Sequence, residues 1–173
     1  MNITFLGGSF DPPHLGHYKI AEFFKNKCDL FLFIPAKKSP FKTLNPHVSS
    51  IHRIEMLKLL TRKLPNIEIE TFEINNSIDS FTYLTVEYIL KKYKPTQLNM
   101  VIGADHIQKL ESWKNFKFIY ENCKIFCFNR EDTSFNKNLN IQFVKNFNIA
   151  VSSSQIRNEL KNKNIDIVEK KLD

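Results

Sequence analysis

The chain has 173 residues, 42% hydrophobic and 25% charged. That suits one soluble globular domain with a sizeable core and excludes a disordered chain; with 4 glycines, 3 cysteines and no internal period it also excludes collagen-like, disulfide-scaffold and repeat architectures. Lys and Arg number 25 against 18 Asp and Glu, a formal net charge of +7, which favours anionic partners: nucleotides, nucleic acid or a membrane surface.

The basic excess is discounted as a nucleic-acid signal. Lys outnumbers Arg 21 to 4, whereas a phosphate-reading surface often uses the Arg fork. Ile, Lys, Asn and Phe, all with AT-rich codons, also dominate the composition, so a solvated basic surface is the preferred reading. The first residues carry neither a basic leader nor a long apolar stretch. The longest apolar runs, such as Leu30–Ile34, are strand-length and too short to span a bilayer. Cys28, Cys123 and Cys127 form no CxxC pair and read as buried thiols in a reducing cytoplasm.

In chain order, 2–6 reads as a strand. A Gly/Pro loop follows, then a helix over about 16–26. A buried strand at 30–34 leads into a basic loop over 35–46. The run 49–63 reads as a helix, with Ile51, Ile54, Met56, Leu57, Leu59 and Leu60 mostly on one side. A strand at 67–72 precedes a helix at 80–93, which Pro95 stops. A strand at 98–102 runs into Gly103. A helical stretch covers 107–121, broken near 112–114. Strands at 124–128 and 141–144, a helix at 153–162 and a short helix near 165–172 complete the chain.

Strands alternating with helices imply βαβ units. The fold expected is a Rossmann-like, doubly wound parallel sheet with helices on both faces. No linker divides the chain, so residues 1–173 are read as one domain. In such sheets ligands bind beyond the carboxyl ends of the strands, near the reversal of strand order. That selects the loops after Leu6, Ile34, Ile102 and about Asn148.

The first loop is Gly7-Gly8-Ser9-Phe10-Asp11-Pro12-Pro13-His14-Leu15-Gly16-His17. Glycines after a buried strand let backbone approach a ligand, and a helix start offers unpaired N–H groups and a favourable dipole to an anion. His14 and His17 lie three apart and can face one side. Capping or core-edge histidines and a zinc pair are the other readings. Phosphate binding is preferred, although neither the GxGxxG fingerprint nor the GxxxxGK[ST] loop is present.

Other segments join it. Ser152, Ser153 and Ser154 precede the helix that carries Arg157, a plain N-cap with a surface arginine when taken alone and a phosphate cradle when paired with the first loop. The basic loop after the second strand contains Lys42. Gly103 and Asp105 end a strand, and Asp105 suits either two ribose hydroxyls or a helix N-cap. Trp113, the one tryptophan, sits at a helix break as a core plug or a stacking platform.

The eleven-residue loop resembles the signature of bacterial nicotinate-nucleotide adenylyltransferases, within the HxGH nucleotidyltransferase superfamily. Val151 to Arg157 is similar to that family's ISSTxxR motif, which binds the ATP phosphates. Gly103-x-Asp105, Leu110 and Trp113 fit its GxDxxxxLxxW arrangement, and Ser80 to Thr85 its SYTxxT stretch. Lys114 stands where many members have an aromatic. His52 to Leu57 matches a helix pattern of the family and is read here as packing. The resemblance covers residues 1 to about 160, with a carboxyl end short for the family.

The resemblance implies adenylyl transfer from ATP to nicotinate mononucleotide, giving deamido-NAD and pyrophosphate. His14, His17 and Arg157 would be the catalytic donors. ATP would meet Gly7, Gly8, Ser9, Phe10, His14, His17, Ser152, Ser153, Ser154 and Arg157. The second substrate would meet Lys42, Thr82, Thr85, Gly103, Asp105 and Trp113. Mg²⁺ would arrive with ATP, with no metal ligands from the protein and no tightly bound cofactor. The enzyme would be cytoplasmic, without nucleic-acid or membrane partners. The alternatives are transfer to nicotinamide mononucleotide or phosphopantetheine, a non-catalytic nucleotide-binding module, and an RNA-binding protein using the basic face.

Overall fold

The computed structural model describes residues 1–38, 45–76, 80–128, 139–145, 147 and 151–162. Six parallel strands form one sheet: β1 (Asn2–Gly8), β2 (Leu30–Pro35), β3 (Ile67–Ile69), β4 (Gln97–Gly103), β5 (Lys124–Phe128) and β6 (Ile141–Val144). Their order is β3-β2-β1-β4-β5-β6, the doubly wound pattern. Strand β1 pairs with β2 through Gly8↔Pro35 and with β4 through Leu6↔Val101. The reversal therefore falls between β1 and β4, so the loops after Gly8 and Gly103 start side by side.

Strand side chains alternate between two cores, because successive residues point to opposite faces. Ile3, Phe5, Leu32, Ile34, Met100, Ile102, Ile125 and Cys127 face one core. It is covered by α4 (Thr82–Tyr93), by a 3-10 segment (Ala104–Ser112) and by α5 (Phe116–Asn122). Leu6, Phe31, Phe33, Val101 and Phe128 face the other core, with Ala21 and Phe24 of α1 (Leu15–Phe24) and Leu57 of α2 (Ser50–Thr61). This second core is rich in phenylalanine, with edge-on pairs such as Phe24–Phe126 at 5.1 Å and Phe23–Phe128 at 5.4 Å, a favoured ring geometry.

Three elements depart from the sequence reading. The strand expected over 67–72 ends at Ile69, and a four-residue turn, α3 (Phe72–Asn75), follows. Glu70 turns the chain there, its side chain accepting from the Phe72 backbone N–H at 3.2 Å. The helix expected from 107 begins earlier as the 3-10 segment, and α5 restarts after Asn115 in the left-handed region (φ 55°). The apolar side expected for α2 is buried only in part: Leu57 is fully buried and Ile54, Met56 and Leu60 are half-buried. Ile51 is 72% and Leu59 64% exposed, while Arg53, Leu57 and Thr61 point inward. Those three recur at four-residue spacing along one helix face. Their polar members find partners: Thr61 bonds the Leu57 carbonyl at 2.8 Å and Arg53 reaches across to the β1 loop through Nη1, while its Nε is buried without a hydrogen bond among the described residues. The short helix expected near 165–172 lies outside the described residues.

Candidate functional site

The chain leaves β1 at Gly8 and enters α1 at Leu15, with His14 as the N-cap in extended backbone and His17 in the first turn. Three-residue spacing at a helix start stacks the two imidazoles, with ring centroids 3.8 Å apart and 29° between planes. His17 Nδ1 accepts the His14 backbone N–H at 3.1 Å. An acceptor Nδ1 in a neutral imidazole puts the proton on Nε2, so the cap fixes His17 as an Nε2–H donor. His14 is 4% exposed.

Glycines make room for this arrangement. A Cβ on Gly16 would stand 3.0 Å from His14 Cε1 and Nδ1, and one on Gly8 3.1 Å from the Phe10 ring. A Cβ on Gly7 meets nothing within 4 Å among the described residues, so backbone there borders open space. Phe10, expected to touch ATP, is 2% exposed. Its ring sits edge-on to His17 at 4.9 Å and to Phe33 at 5.5 Å, and so it supports the histidine from below rather than lining the loop.

The far end of the chain closes on the same loop. Helix α6 (Ser153–Lys161) is capped by the Ser152 hydroxyl, which accepts from the Gln155 N–H at 3.2 Å. Ser153 Oγ donates to the Pro12 carbonyl at 2.8 Å. Arg157 Nη1 donates to the Asp11 carbonyl, and Nη2 to Ser154 Oγ at 3.1 Å. The two imidazoles and the guanidinium are thus fixed to one short stretch, residues 11–17. Their separation in sequence is the reason single motifs read ambiguously and the pair did not.

Two residues that the sequence reading did not select hold the loop. Asp11 is 4% exposed and accepts from the His47 backbone N–H at 2.7 Å, the His47 ring Nδ1 at 3.2 Å and the Val48 N–H at 3.1 Å. Burial alone would push its carboxyl up. The backbone and ring donors, with the Arg157 cation, outweigh burial and hold it below the ordinary range. Arg53 is 1% exposed and donates through Nη1 to the Ser9 carbonyl and through Nη2 to Ser50 Oγ at 3.2 Å. The available signal was an arginine in register with Leu57 and Thr61, among the apolar residues of α2 that flank its buried side.

Arg53→Met is expected to lower stability by about 2–3 kcal/mol, the cost of orphaning the Ser9 carbonyl and losing a charged donor. Chemical denaturation measures it, and an unchanged midpoint would contradict the bond's importance. Activity should fall as well, because Ser9 precedes the histidine loop.

On the β4 side, Gly103 is the N-cap of the 3-10 segment and Asp105 lies in its first turn. This corrects the N-cap alternative for Asp105. Its carboxylate folds back so that a Cβ on Gly103 would lie 2.4 Å from Asp105 Oδ1, and its side chain is 80% exposed. Trp113 is half-buried against the first core, with His106 edge-on at 5.7 Å. Lys114 Nζ sits 4.4 Å over the Phe81 ring. Thr82 opens α4 and is half-buried. Thr85, expected beside the pyridine, is 1% exposed and donates to Glu73 Oε1 at 2.6 Å, an interior bond away from the loop surface. Burial pushes the Glu73 carboxyl up. Lys42 lies outside the described residues. Among the described residues no group of three His, Cys, Asp or Glu could hold a metal ion, and no helix is long and apolar enough to cross a membrane. All three cysteines are free thiols, Cys28 half-buried and the others buried.

Residues 5–159 match the cytidylyltransferase-like family model. The chain is 31% identical over 170 residues, 97% of its length and 90% of the relative's, to a protein of Listeria monocytogenes named a probable nicotinate-nucleotide adenylyltransferase. It is 34% identical over 162 residues, 92% and 87% of the two lengths, to one of the same name from Campylobacter fetus. Among solved structures, the Plasmodium falciparum nicotinic acid mononucleotide adenylyltransferase complexed with NaAD superposes with a TM-score of 0.78 at 20% identity, over 99% of this chain and 90% of that one. At that identity the likeness concerns the fold.

Proposed function

The chain belongs to the cytidylyltransferase-like family and, within it, to the nicotinate-nucleotide adenylyltransferases, and from that premise we propose that it joins the AMP moiety of ATP to nicotinate mononucleotide. The attacking group is a phosphate oxygen of the mononucleotide. It forms a bond to the α-phosphorus as the bond to the β-phosphate oxygen breaks, giving deamido-NAD and pyrophosphate. No protein nucleophile is needed, so the protein's work is positioning and charge stabilisation.

The observation that carries this reading is the meeting of His14, His17 and Arg157 at residues 11–17, beside the reversal of strand order. His17 Nε2–H and the fork of Arg157 are donors for phosphate oxygens whose charge rises on attack, and the start of α1 adds N–H groups. Gly7 and Gly8 give the triphosphate access to backbone. Ser152 and Ser154, half-buried or exposed at the start of α6, extend the same wall. Across the reversal point, Asp105 takes the ribose hydroxyls and Trp113 stacks the pyridine, with Thr82 and Lys42 completing the acceptor side. Phe10, Ser153 and Thr85 act from behind, through the contacts already given.

The donor set near the loop is imidazole, guanidinium and hydroxyl, with the Asp11 carboxylate already engaged by three hydrogen-bond donors and the Arg157 cation. It suits a Mg²⁺ that enters as part of the ATP substrate, liganded by phosphates and water; the ion would screen the triphosphate charge. The thiols accord with a reducing cytoplasm, and residues 1–173 with a single domain.

The test is side-by-side pyrophosphate release with ATP and nicotinate mononucleotide, its amide, or phosphopantetheine. Turnover at least about tenfold faster with the acid supports the proposal; such a ratio reflects about 1.4 kcal/mol of discrimination. Preference for either other acceptor, or no release with any, would overturn it.

A further inference from the structure

Resting on that reading of the ATP site, we propose that His47 is an additional triphosphate-binding residue, oriented for the task by Asp11. The two nitrogens His47 Nδ1 and Arg157 Nη1 approach the same oxygen, Asp11 Oδ2, at 3.2 and 3.9 Å. His47 therefore lies beside the guanidinium assigned to phosphate, although 110 positions separate them in the chain. Its backbone is fixed by the same carboxylate, at 2.7 Å, and Val48 N–H binds the other oxygen at 3.1 Å. The ring is thus held at two points by a buried group, while its side chain stays 53% exposed. A ring tied through Nδ1 turns Nε2 away from the carboxylate. Arg53, itself buried, adds positive potential toward Asp11. Asp11 is then a positioning residue, one carboxylate that aligns an imidazole and a guanidinium for a polyanion.

A pair of isosteres separates contact from scaffolding. The amide of an asparagine falls near Nδ1 of the histidine it replaces, and that of a glutamine near Nε2. His47→Asn keeps the link to Asp11 and loses the outward nitrogen; His47→Gln does the reverse. The expected result is a KM for ATP raised about tenfold in His47→Asn and within about threefold of the parent in His47→Gln, with KM for nicotinate mononucleotide unchanged in both. A purely structural role would reverse the ranking and show it in thermal stability as well. Calorimetric binding of a non-hydrolysable α,β-methylene ATP analogue repeats the comparison without the acceptor. Equal affinity of all three proteins for the analogue would overturn the role of His47 while leaving the adenylyl-transfer reading intact. The expected ranking in a protein that binds the analogue but does not adenylylate nicotinate mononucleotide would support His47 and overturn only the acceptor.

Discussion

His17→Ala is expected to keep its fold and to lower kcat by about 10²–10³, the effect of removing one preorganised donor aimed at developing charge, about 3–4 kcal/mol. The residue sits in the first turn of α1, and its Nδ1 accepts the His14 N–H. That cap is worth about 1 kcal/mol to the helix, so a modest stability loss accompanies the change and denaturation separates the two effects. The kcat loss should exceed the change in KM for ATP, because the bond to phosphate strengthens only as charge builds. His14 is held in turn by the absence of a side chain on Gly16. Steady-state pyrophosphate release on protein of verified fold gives the answer. A folded His17→Ala with near-native kcat would remove the imidazole from the mechanism.

Much of this arrangement was legible in the sequence. Alternating apolar runs and helical periods located the parallel strands, and the rule that ligands sit beyond carboxyl ends picked out Gly7–His17 and Gly103–Trp113. The strand order itself places those two loops next to each other. What escaped was governed by tertiary contact. Residues 51–60 carry six apolar side chains, yet the helix turns Arg53 inward because its guanidinium finds the Ser9 carbonyl. Asp11 lies inside the most recognisable motif of the chain, and nothing local reveals that it binds the backbone of residues 47 and 48. Thr85 matched a motif by position, but its burial on Glu73 depends on how α3 packs against α4. Periodicity locates elements; it does not say which polar side chains close the distance between them.

Arg157→Ala should also lower kcat by about 10²–10³, for the same reason on a second oxygen. The guanidinium spends one N–H of Nη1 on the Asp11 carbonyl and one of Nη2 on Ser154 Oγ. A fork carries five donors, so anchorage and phosphate binding can coexist. Stability should fall by about 1–3 kcal/mol, because the Asp11 carbonyl loses a donor whose side chain is only 26% exposed, while the Asp11 carboxylate retains His47 and Val48. Arg157→Lys keeps the charge but offers one compact ammonium in place of the planar fork. It should recover less than about tenfold of the lost rate. If lysine restored full activity, charge alone would matter, and the geometry of the fork would not. The decisive comparison is the double variant His17→Ala with Arg157→Ala. Two donors acting on one charge-developing phosphoryl group behave as a unit, so their losses combine to less than the product of the single effects. Losses that multiply would instead assign the imidazole and the guanidinium to separate parts of the triphosphate, and single-turnover rates with saturating ATP would distinguish the two outcomes.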